Sequence, residues 1–255
     1  MCQLIDTHTH LEEIDNLEEA IREARSSGVV AIIAVGSDYQ SNLKVLQIAD
    51  EFDGFVYPAL GLHPSYIKKT DWECNLEFIE ANINRAVCIG EIGLDYHKKI
   101  RAFTDKDLQQ KVFRKTVGLA YKYHKPISVH SRYAWRDAFT IVAESGIEEA
   151  VFHWYTGTSR VLREIIEQGY FLSATPAVDY HDEHRRAVKE APLKQLLLET
   201  DSPVVYGRGR EFQFEAGPAD IYRSLKGTSN IRGMDAGKIA SATTANAVKI
   251  FQLNI

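Results

Sequence analysis

Residues 4–35 read LIDTHTHLEEIDNLEEAIREARSSGVVAIIAV, and the order of patterns within that stretch decides the fold. Leu4 to Thr9 is a short run of apolar and β-branched residues with strand character. Leu17, Ala20, Ile21 and Ala24 then recur at helical spacing, Gly28 supplies a helix stop, and Val29 to Val35 is an apolar run. A strand, a helix and a second strand in this order imply parallel pairing. The alternation continues through Phe55 to Leu62, Val87 to Leu94, Ile127 to His130, Ala150 to His153, Phe171 to Ala174 and Leu196 to Thr200. Between them lie helical stretches such as Val161, Ile165 and Ile166 before Gly169. Ala236 to Phe251 reads as the final helix. Eight such units in 255 residues predict an α/β fold of the (β/α)8 TIM barrel type, with residues 1–255 as one barrel domain. The competitor is a doubly wound open sheet, but no Gly-x-Gly-x-x-Gly turn follows the first strand. No repeat, low-complexity segment or linker marks a second domain.

Hydrophobic residues make up 45% of the chain and charged ones 25%, an ordinary globular composition. The cysteines, Cys2, Cys74 and Cys88, are odd in number and lack Cys-x-x-Cys spacing, which excludes a disulfide framework or a thiolate zinc site and predicts a reducing, cytoplasmic setting. No apolar run approaches the roughly 18 residues that span a bilayer, and the N-terminus lacks a basic-then-apolar layout, so no membrane partner is expected. His8 and His10 lie so near Met1 that no removable presequence is expected either. A formal charge of −5 argues against non-specific coating of nucleic acid, which depends on many phosphate contacts. It leaves open an enzyme that grips a few phosphates through metal ions.

Chemically distinctive residues collect at the C-terminal ends of the predicted strands. His8 and His10 end the first, His63 the third, His130 the fifth and His153 the sixth; Glu91 lies late in the fourth and Asp201 follows the eighth. In a barrel those ends form the one face where active sites are built. His8 and His10, two residues apart, point into the same mouth, where two imidazoles can reach one ion. A lone strand histidine is ordinarily a hydrogen-bonded core or rim residue. Four histidines with Glu91 and Asp201 on one rim would confront one another unpartnered, and metal ions resolve that conflict. Imidazole with carboxylate suits zinc, manganese or magnesium.

The segments Ile5-Asp6-Thr7-His8-Thr9-His10, Gly61-Leu62-His63-Pro64, Ile89-Gly90-Glu91-Ile92-Gly93-Leu94-Asp95-Tyr96, Val129-His130-Ser131-Arg132, His153-Trp154-Tyr155-Thr156-Gly157 and Glu199-Thr200-Asp201-Ser202-Pro203 resemble, in order, the motifs of the TatD family of metal-dependent deoxyribonucleases, within the amidohydrolase superfamily. The resemblance spans almost the whole chain. It implies two divalent ions, one held by His8, His10, Glu91 and Asp201 and the other by Glu91, His130 and His153, with Glu91 as the bridge. The chain departs from the family after Asp201. An Arg-Gly segment followed closely by Asn and Pro is usual there, whereas Arg208-Gly209-Arg210 runs on through Glu211 and Glu215 to Pro218 without the Asn. No lysine ends the fourth strand, which separates the chain from barrels bridged by a carboxylated lysine.

Two metals sharing a carboxylate can activate water at neutral pH and steady both oxygens of a phosphodiester, so hydrolysis is expected, with Glu91 and Asp201 as the catalytic carboxylates. Asp201 is expected to ligate the first ion and accept the proton of the attacking water. Asp6 and Glu199 share strand parity with His10 and Asp201. They form either a buried structural pair or, preferably, acceptors for the N–H of ligating imidazoles. Arg132, Arg208 and Arg210 are candidates for phosphate contact. Lys68, Lys69, Lys98, Lys99, Arg101, Arg185 and Arg186 belong either to the same basic collar or to ordinary solvated loops. His63 touches phosphate or closes its own turn; Trp154 and Tyr155 stack on a base or pack inward. His97, His124, His181 and His184 have no assigned role, and Cys88 reads as a small buried hydrophobe. Three functions follow: a phosphodiesterase acting on DNA, as single strands or 3′ ends; a hydrolase of carboxylic esters or amides such as an aminoacyl-tRNA deacylase; or a non-enzymatic metal-binding scaffold.

Overall fold

The computed structural model describes residues 2–68 and 71–255, so Lys69 lies outside the described residues. Parallel strands β1 (Leu4–Thr9), β2 (Val29–Val35), β3 (Val56–Leu62), β4 (Cys88–Gly93), β5 (Ile127–His130), β6 (Ala150–Phe152), β7 (Phe171–Ala174) and β8 (Leu196–Leu198) follow one another in chain order around a nearly closed (β/α)8 barrel. The helices between and after them are α1 (Leu17–Ser26), α2 (Tyr39–Glu51), α3 (Trp72–Ala81), α4 (Lys98–Arg101), α5 (Lys106–Lys122), α6 (Trp135–Glu144), α7 (Ser159–Glu167), α8 (Asp182–Glu190), α9 (Ile221–Arg232) and α10 (Ala236–Phe251). A short antiparallel pair, β9 (Val205–Tyr206) and β10 (Phe214–Glu215), rises from the loop after β8.

Local chemistry explains the helix starts. Asp38 accepts from the Ser41 N–H at 2.9 Å while Ser41 Oγ accepts from the Asp38 N–H at 2.8 Å, a reciprocal cap on α2. Asp71, Asp105, Thr158 and Asp235 cap α3, α5, α7 and α10 in the simpler way. Parallel strands covered on both sides are buried throughout, as β1, β4, β7 and β8 are. Their alternate residues divide between two cores. Ile32 and Ala34 of β2 join the larger one, while Ala31, Ile33 and Val35 join a smaller one with Cys88, Val151 and Leu197. Burial pushes the Cys88 thiol pKa up, which fits the hydrophobe that the sequence predicts.

The closing seam lies at the functional end. His8 O accepts the Asp201 N–H at 2.9 Å, the His10 N–H donates to Ser202 O at 2.8 Å, and Thr9 bridges Ser202. Helix α10 straps the two edges together: Thr244 Oγ1 donates to Gln3 O at 2.8 Å, and Asn246 Nδ2 donates to Leu193 O at 2.9 Å and Leu196 O at 2.8 Å. Strand β8 stops short of the expected Thr200 because the Thr200 N–H is taken by the Asp6 carboxylate at 2.9 Å rather than by the ladder.

Strand β4 carries one extra residue. Ile89 and Ile92 pair with Leu60 and Leu62 on one side and with Ile127 and Val129 on the other. The bulge falls on Gly90 and Glu91 and re-aims the Glu91 side chain. Crowding there leaves no room for larger neighbours: a Cβ at Gly61 would collide with Glu91 N and O, and Gly93, at φ +146°, lies against His130 O. Gly61→Ala should destabilise the fold by about 1–3 kcal/mol or more. Gly118→Ala, on α5 with nothing near its Cβ, should be neutral or stabilising by up to about 1 kcal/mol. Thermal unfolding of the two variants checks this; equal midpoints would refute the crowding argument.

Candidate metal centre

Each donor owes its position to a strand end. His8 lies in β1, His10 one residue beyond it, Glu91 on the β4 bulge, His130 at the end of β5 and His153 just after β6. Asp201 follows β8 at φ +49°, a left-handed conformation that Asp tolerates better than most residues. His8, Glu91, His153 and Asp201 are buried, and His10, His63 and His130 are partly so. The structure therefore brings together all six residues expected to hold metal, and His63 with them.

Two halves of the cluster differ in spacing. On one side, His8 Nε2 stands 3.7 Å from Glu91 Oε2 and 3.6 Å from Asp201 Oδ1, and His10 Nε2 stands 3.6 Å from each. These separations are too long for hydrogen bonds. Ligand atoms about 2.0–2.2 Å from a shared tetrahedral ion stand roughly 3.3–3.6 Å apart, so the spacing suits a cation. His8 Nε2, fully buried, has no hydrogen-bond partner among the described residues, which is costly unless something else satisfies it. On the other side Glu91 Oε1 is 2.7 Å from His130 Nδ1 and 2.8 Å from His153 Nε2, which are 3.3 Å from one another. This half is contracted to hydrogen-bond spacing. His8/His10/Glu91, Glu91/His130/His153, His8/His153/Asp201 and His63/Asp95/His130 are all groupings that can hold a metal ion.

Every one of the four expected imidazole ligands turns its other nitrogen toward an oxygen. His8 Nδ1 meets Ser128 Oγ at 3.3 Å, His10 Nδ1 meets Glu12 Oε1 at 3.7 Å, His130 Nε2 meets Asp95 Oδ2 at 3.2 Å and His153 Nδ1 meets Glu199 Oε1 at 3.6 Å. The Ser128 and Asp95 contacts lie within hydrogen-bond reach and set tautomer and ring orientation, whereas the Glu12 and Glu199 carboxylates face their rings from beyond it. Glu199 thus sits where the sequence places it, and also accepts the Trp154 N–H at 3.0 Å. Asp6 does not. Its carboxylate accepts from Thr200 N at 2.9 Å, Thr200 Oγ1 at 2.5 Å and His8 N at 3.4 Å, so it serves the closing seam rather than an imidazole. The bulge across Asp6–Thr9 in β1 breaks the strand parity on which the expectation rests. Asp95, Glu12 and Ser128 were missed. Asp95 stands in the Glu91 segment, but an acid two residues past a strand carries no sign of its direction, and Glu12 lies in a short turn with no periodicity.

Burial disfavours charge on Glu91, His10 and His153, yet their mutual attraction outweighs it. Desolvation would raise the Glu91 carboxyl pKa, but the charges of His153 and His130 hold it well below the ordinary value. His153 and His10 are correspondingly held well above theirs, against desolvation, by Glu91 and Glu199 and by Asp201 and Glu12 respectively. Burial lowers His63 to about 3, which keeps it neutral. Its Nε2 is 3.8 Å from Glu91 Oε1, and its Nδ1 is 2.6 Å from Ser65 Oγ, so it closes its turn and faces the centre at once.

A cavity of about 860 Å³ opens above the cluster, with Arg132, Arg208, Tyr133, Trp135 and Trp154 on its walls. The expected phosphate contacts fare unequally. Arg132 spends its guanidinium on Asp95 Oδ2, at 3.0 Å from Nε and 2.6 Å from Nη2. Arg208 lines the cavity. Arg210 does not: it lies over the rings of Tyr180 and Phe212 in a neighbouring cleft, because Gly209 at φ +74° turns the chain between the two arginines. Tyr155 is buried and donates to Thr158 O at 2.9 Å, so it packs inward, whereas Trp154 reaches the cavity. Of the histidines left without a role, His181 lines the cavity wall and buried His184 accepts the Thr175 N–H at 3.1 Å.

A parallel barrel with a histidine and carboxylate cluster at its C-terminal mouth is the architecture of a metal-dependent hydrolase. The sequence pattern described as TatD related DNase matches residues 5–252, and the chain belongs to the TatD family. It is 31% identical to human deoxyribonuclease TATDN3 over 97% of this chain and 94% of that one. It is 34% identical to the metal-dependent hydrolase YabD of Bacillus subtilis over 98% and 100%. The crystal structure of YJJV, a TatD homologue from Escherichia coli, superposes with a TM-score of 0.90 at 26% identity and 99% coverage of both chains. Among the described residues no helix is long and apolar enough to cross a membrane.

The seam makes a prediction. Asp6→Ala removes the acceptor of the Thr200 and His8 N–H groups and leaves the Thr200 hydroxyl only its longer bond to Ser202 Oγ, and should cost roughly 2 kcal/mol or more. Because Asp6 meets no imidazole, metal affinity per folded molecule should fall less than tenfold. Denaturant unfolding with a metal titration tests both; a selective loss of metal affinity would return Asp6 to the imidazole-orienting role.

Proposed function

We propose that this chain is a dinuclear-metal phosphodiesterase that shortens single-stranded DNA from an end. The observation that carries the reading is that Glu91 presents its two oxygens to two separate donor groups: Oε2 toward His8 and His10, which Asp201 Oδ1 also faces, and Oε1 toward His130 and His153. Those groups would hold two divalent ions of zinc, manganese or magnesium with Glu91 between them. Bound there, the ions supply Lewis acidity to the phosphoryl group and lower the pKa of water toward neutrality.

The chain's own residues do the rest. Asp201, at the cavity floor, accepts the proton of the attacking water. Arg208 on the wall takes a non-bridging phosphate oxygen, while Arg132 on the same wall is already paired with Asp95. His63, neutral beside Glu91, donates a hydrogen bond without adding charge. A recessed floor beneath a cavity of this size admits a flexible strand more readily than a duplex. The name of the human relative, a deoxyribonuclease, supports the choice of polynucleotide.

The deciding experiment offers labelled single-stranded DNA, RNA, a simple phosphodiester and an aminoacyl-tRNA to the protein loaded with each metal in turn. DNA should shorten stepwise from one end. Turnover of the aminoacyl-tRNA alone would replace the reading with ester hydrolysis. In parallel, elemental analysis of Glu91→Ala should show both metal occupancies reduced, and retention of two ions per chain would remove Glu91 as the bridge.

Asp201→Asn keeps an oxygen for coordination but loses the basic site. Turnover at saturating metal should fall by about 10²- to 10⁴-fold, the usual worth of general-base assistance. Near-normal turnover once metal is restored would leave Asp201 as a ligand only.

A further inference from the structure

Beside the mouth lies a second cleft of about 750 Å³, between the loop after β7, the loop after β8 and the start of α9. The two hollows share their walls residue by residue. Tyr180 and Asp182 face the cleft while His181 and Glu183 face the mouth, and Arg210 faces the cleft while Arg208 faces the mouth. Tyr180 Oη accepts the Gly207 N–H at 3.3 Å and ties the two loops together.

The other two arginines of the cleft are accounted for. Arg223 pairs with Asp220 at 2.8 Å, and Arg185 donates to Val178 O and Asp179 O at 3.0 Å, beside the Asp179 carboxylate. Arg210 has no carboxylate partner among the described residues. Its guanidinium lies 4.9 Å from the Tyr180 ring centroid and 5.6 Å from that of Phe212. Stacking fixes the plane of the guanidinium and leaves its N–H edge open. Phe212 is 50% exposed, a large apolar face that the monomer leaves uncovered. One oriented cation with a free edge and one half-exposed ring, side by side, match one phosphate and one base.

We propose that this cleft is a subsite for a nucleotide of a single strand whose scissile phosphate lies in the mouth, with Arg210 on its phosphate and Phe212 against its base. The inference rests on the nucleic-acid reading above and adds a second place of contact. It also gives the segment after Asp201, where the chain departs from its family's usual pattern, a task in this protein.

The test is binding by fluorescence anisotropy to the metal-loaded protein, using hydrolysis-resistant phosphorothioate oligodeoxynucleotides of two and ten residues. The variants are Phe212→Ala, Phe212→Tyr, Arg210→Ala and Arg210→Lys, each checked for an unchanged melting profile. Phe212→Ala should weaken the ten-residue strand roughly tenfold, in line with the loss of one base stack, and the two-residue strand less than twofold. Phe212→Tyr should restore binding. Arg210→Ala should lower the salt slope for the longer strand by about one, and Arg210→Lys should restore it. Unaltered affinity and slope for the ten-residue strand, or equal losses for both lengths, would overturn the subsite. Cleft-dependent binding in a protein that fails to cleave DNA would support the subsite and sink the nuclease reading. Absence of binding by the unsubstituted protein would overturn both.

Discussion

A carboxylate buried among imidazoles is the constraint on which this structure turns. Glu91 is 4% exposed and has His8, His10, His63, His130 and His153 around it. A charge removed from water is costly unless it is paired, and a buried pair is tolerated only when its remaining donors and acceptors are met. The surrounding shell meets part of this demand: Ser128 and Asp95 lie within hydrogen-bond reach of the outer nitrogens of His8 and His130, and the Glu12 and Glu199 carboxylates face those of His10 and His153. The inner nitrogens and carboxylate oxygens are left facing one another, and a cation is the chemical species that satisfies donors of this kind without adding a proton to each.

The backbone makes that arrangement possible. Closure of the barrel is usually treated as a matter of sheet geometry, but here the bonds that close it belong to the site's own residues. His8 and His10 pair through their peptide groups with Asp201 and Ser202, so the distance between the histidines and Asp201 is set by a β-ladder spacing rather than by loop conformation. Asp6, fully buried beneath them, fastens Thr200 to the same seam. Stability and chemistry are thus coupled at one edge of the barrel, while the bulge at Gly90 and Glu91 sets the other. A site on strand ends is held more rigidly than one on loops.

The strands were legible because parallel strands and amphipathic helices differ in period, and β1, β2, β5, β7 and α10 have the extents expected from the sequence. Strand-end placement was equally legible for the histidines, Glu91 and Asp201. Side-chain direction was less so. A period of two carries direction along a regular strand only, and the bulges in β1 and β4 interrupt it, which is why Asp6 serves the seam and not an imidazole. Loop residues have no period at all. Arg132, Arg208 and Arg210 look alike in sequence, yet the first is turned onto Asp95, the second faces the mouth and the third stacks in the adjoining cleft. Counting cations in loops says nothing of which are already spoken for.

The same accounting bears on how an acidic chain could draw in a polyanion. Glu91, Asp95, Glu199 and Asp201 all lie at or just beneath the mouth, and the chain as a whole carries a formal charge of −5. Arg132 is already paired with Asp95, which leaves Arg208 to face the cavity from its wall. On the proposed occupancy, two divalent ions set against Glu91 and Asp201 would add positive charge at the floor of a cavity with low-dielectric walls, where their field would be focused outward rather than screened. Metal loading then has two consequences that are physically one: it satisfies the orphaned donors of the floor, and it strengthens the attraction of the mouth for phosphate. Attraction of an anionic strand would therefore depend first on the carboxylates that hold the ions, and only second on the basic side chains around the rim.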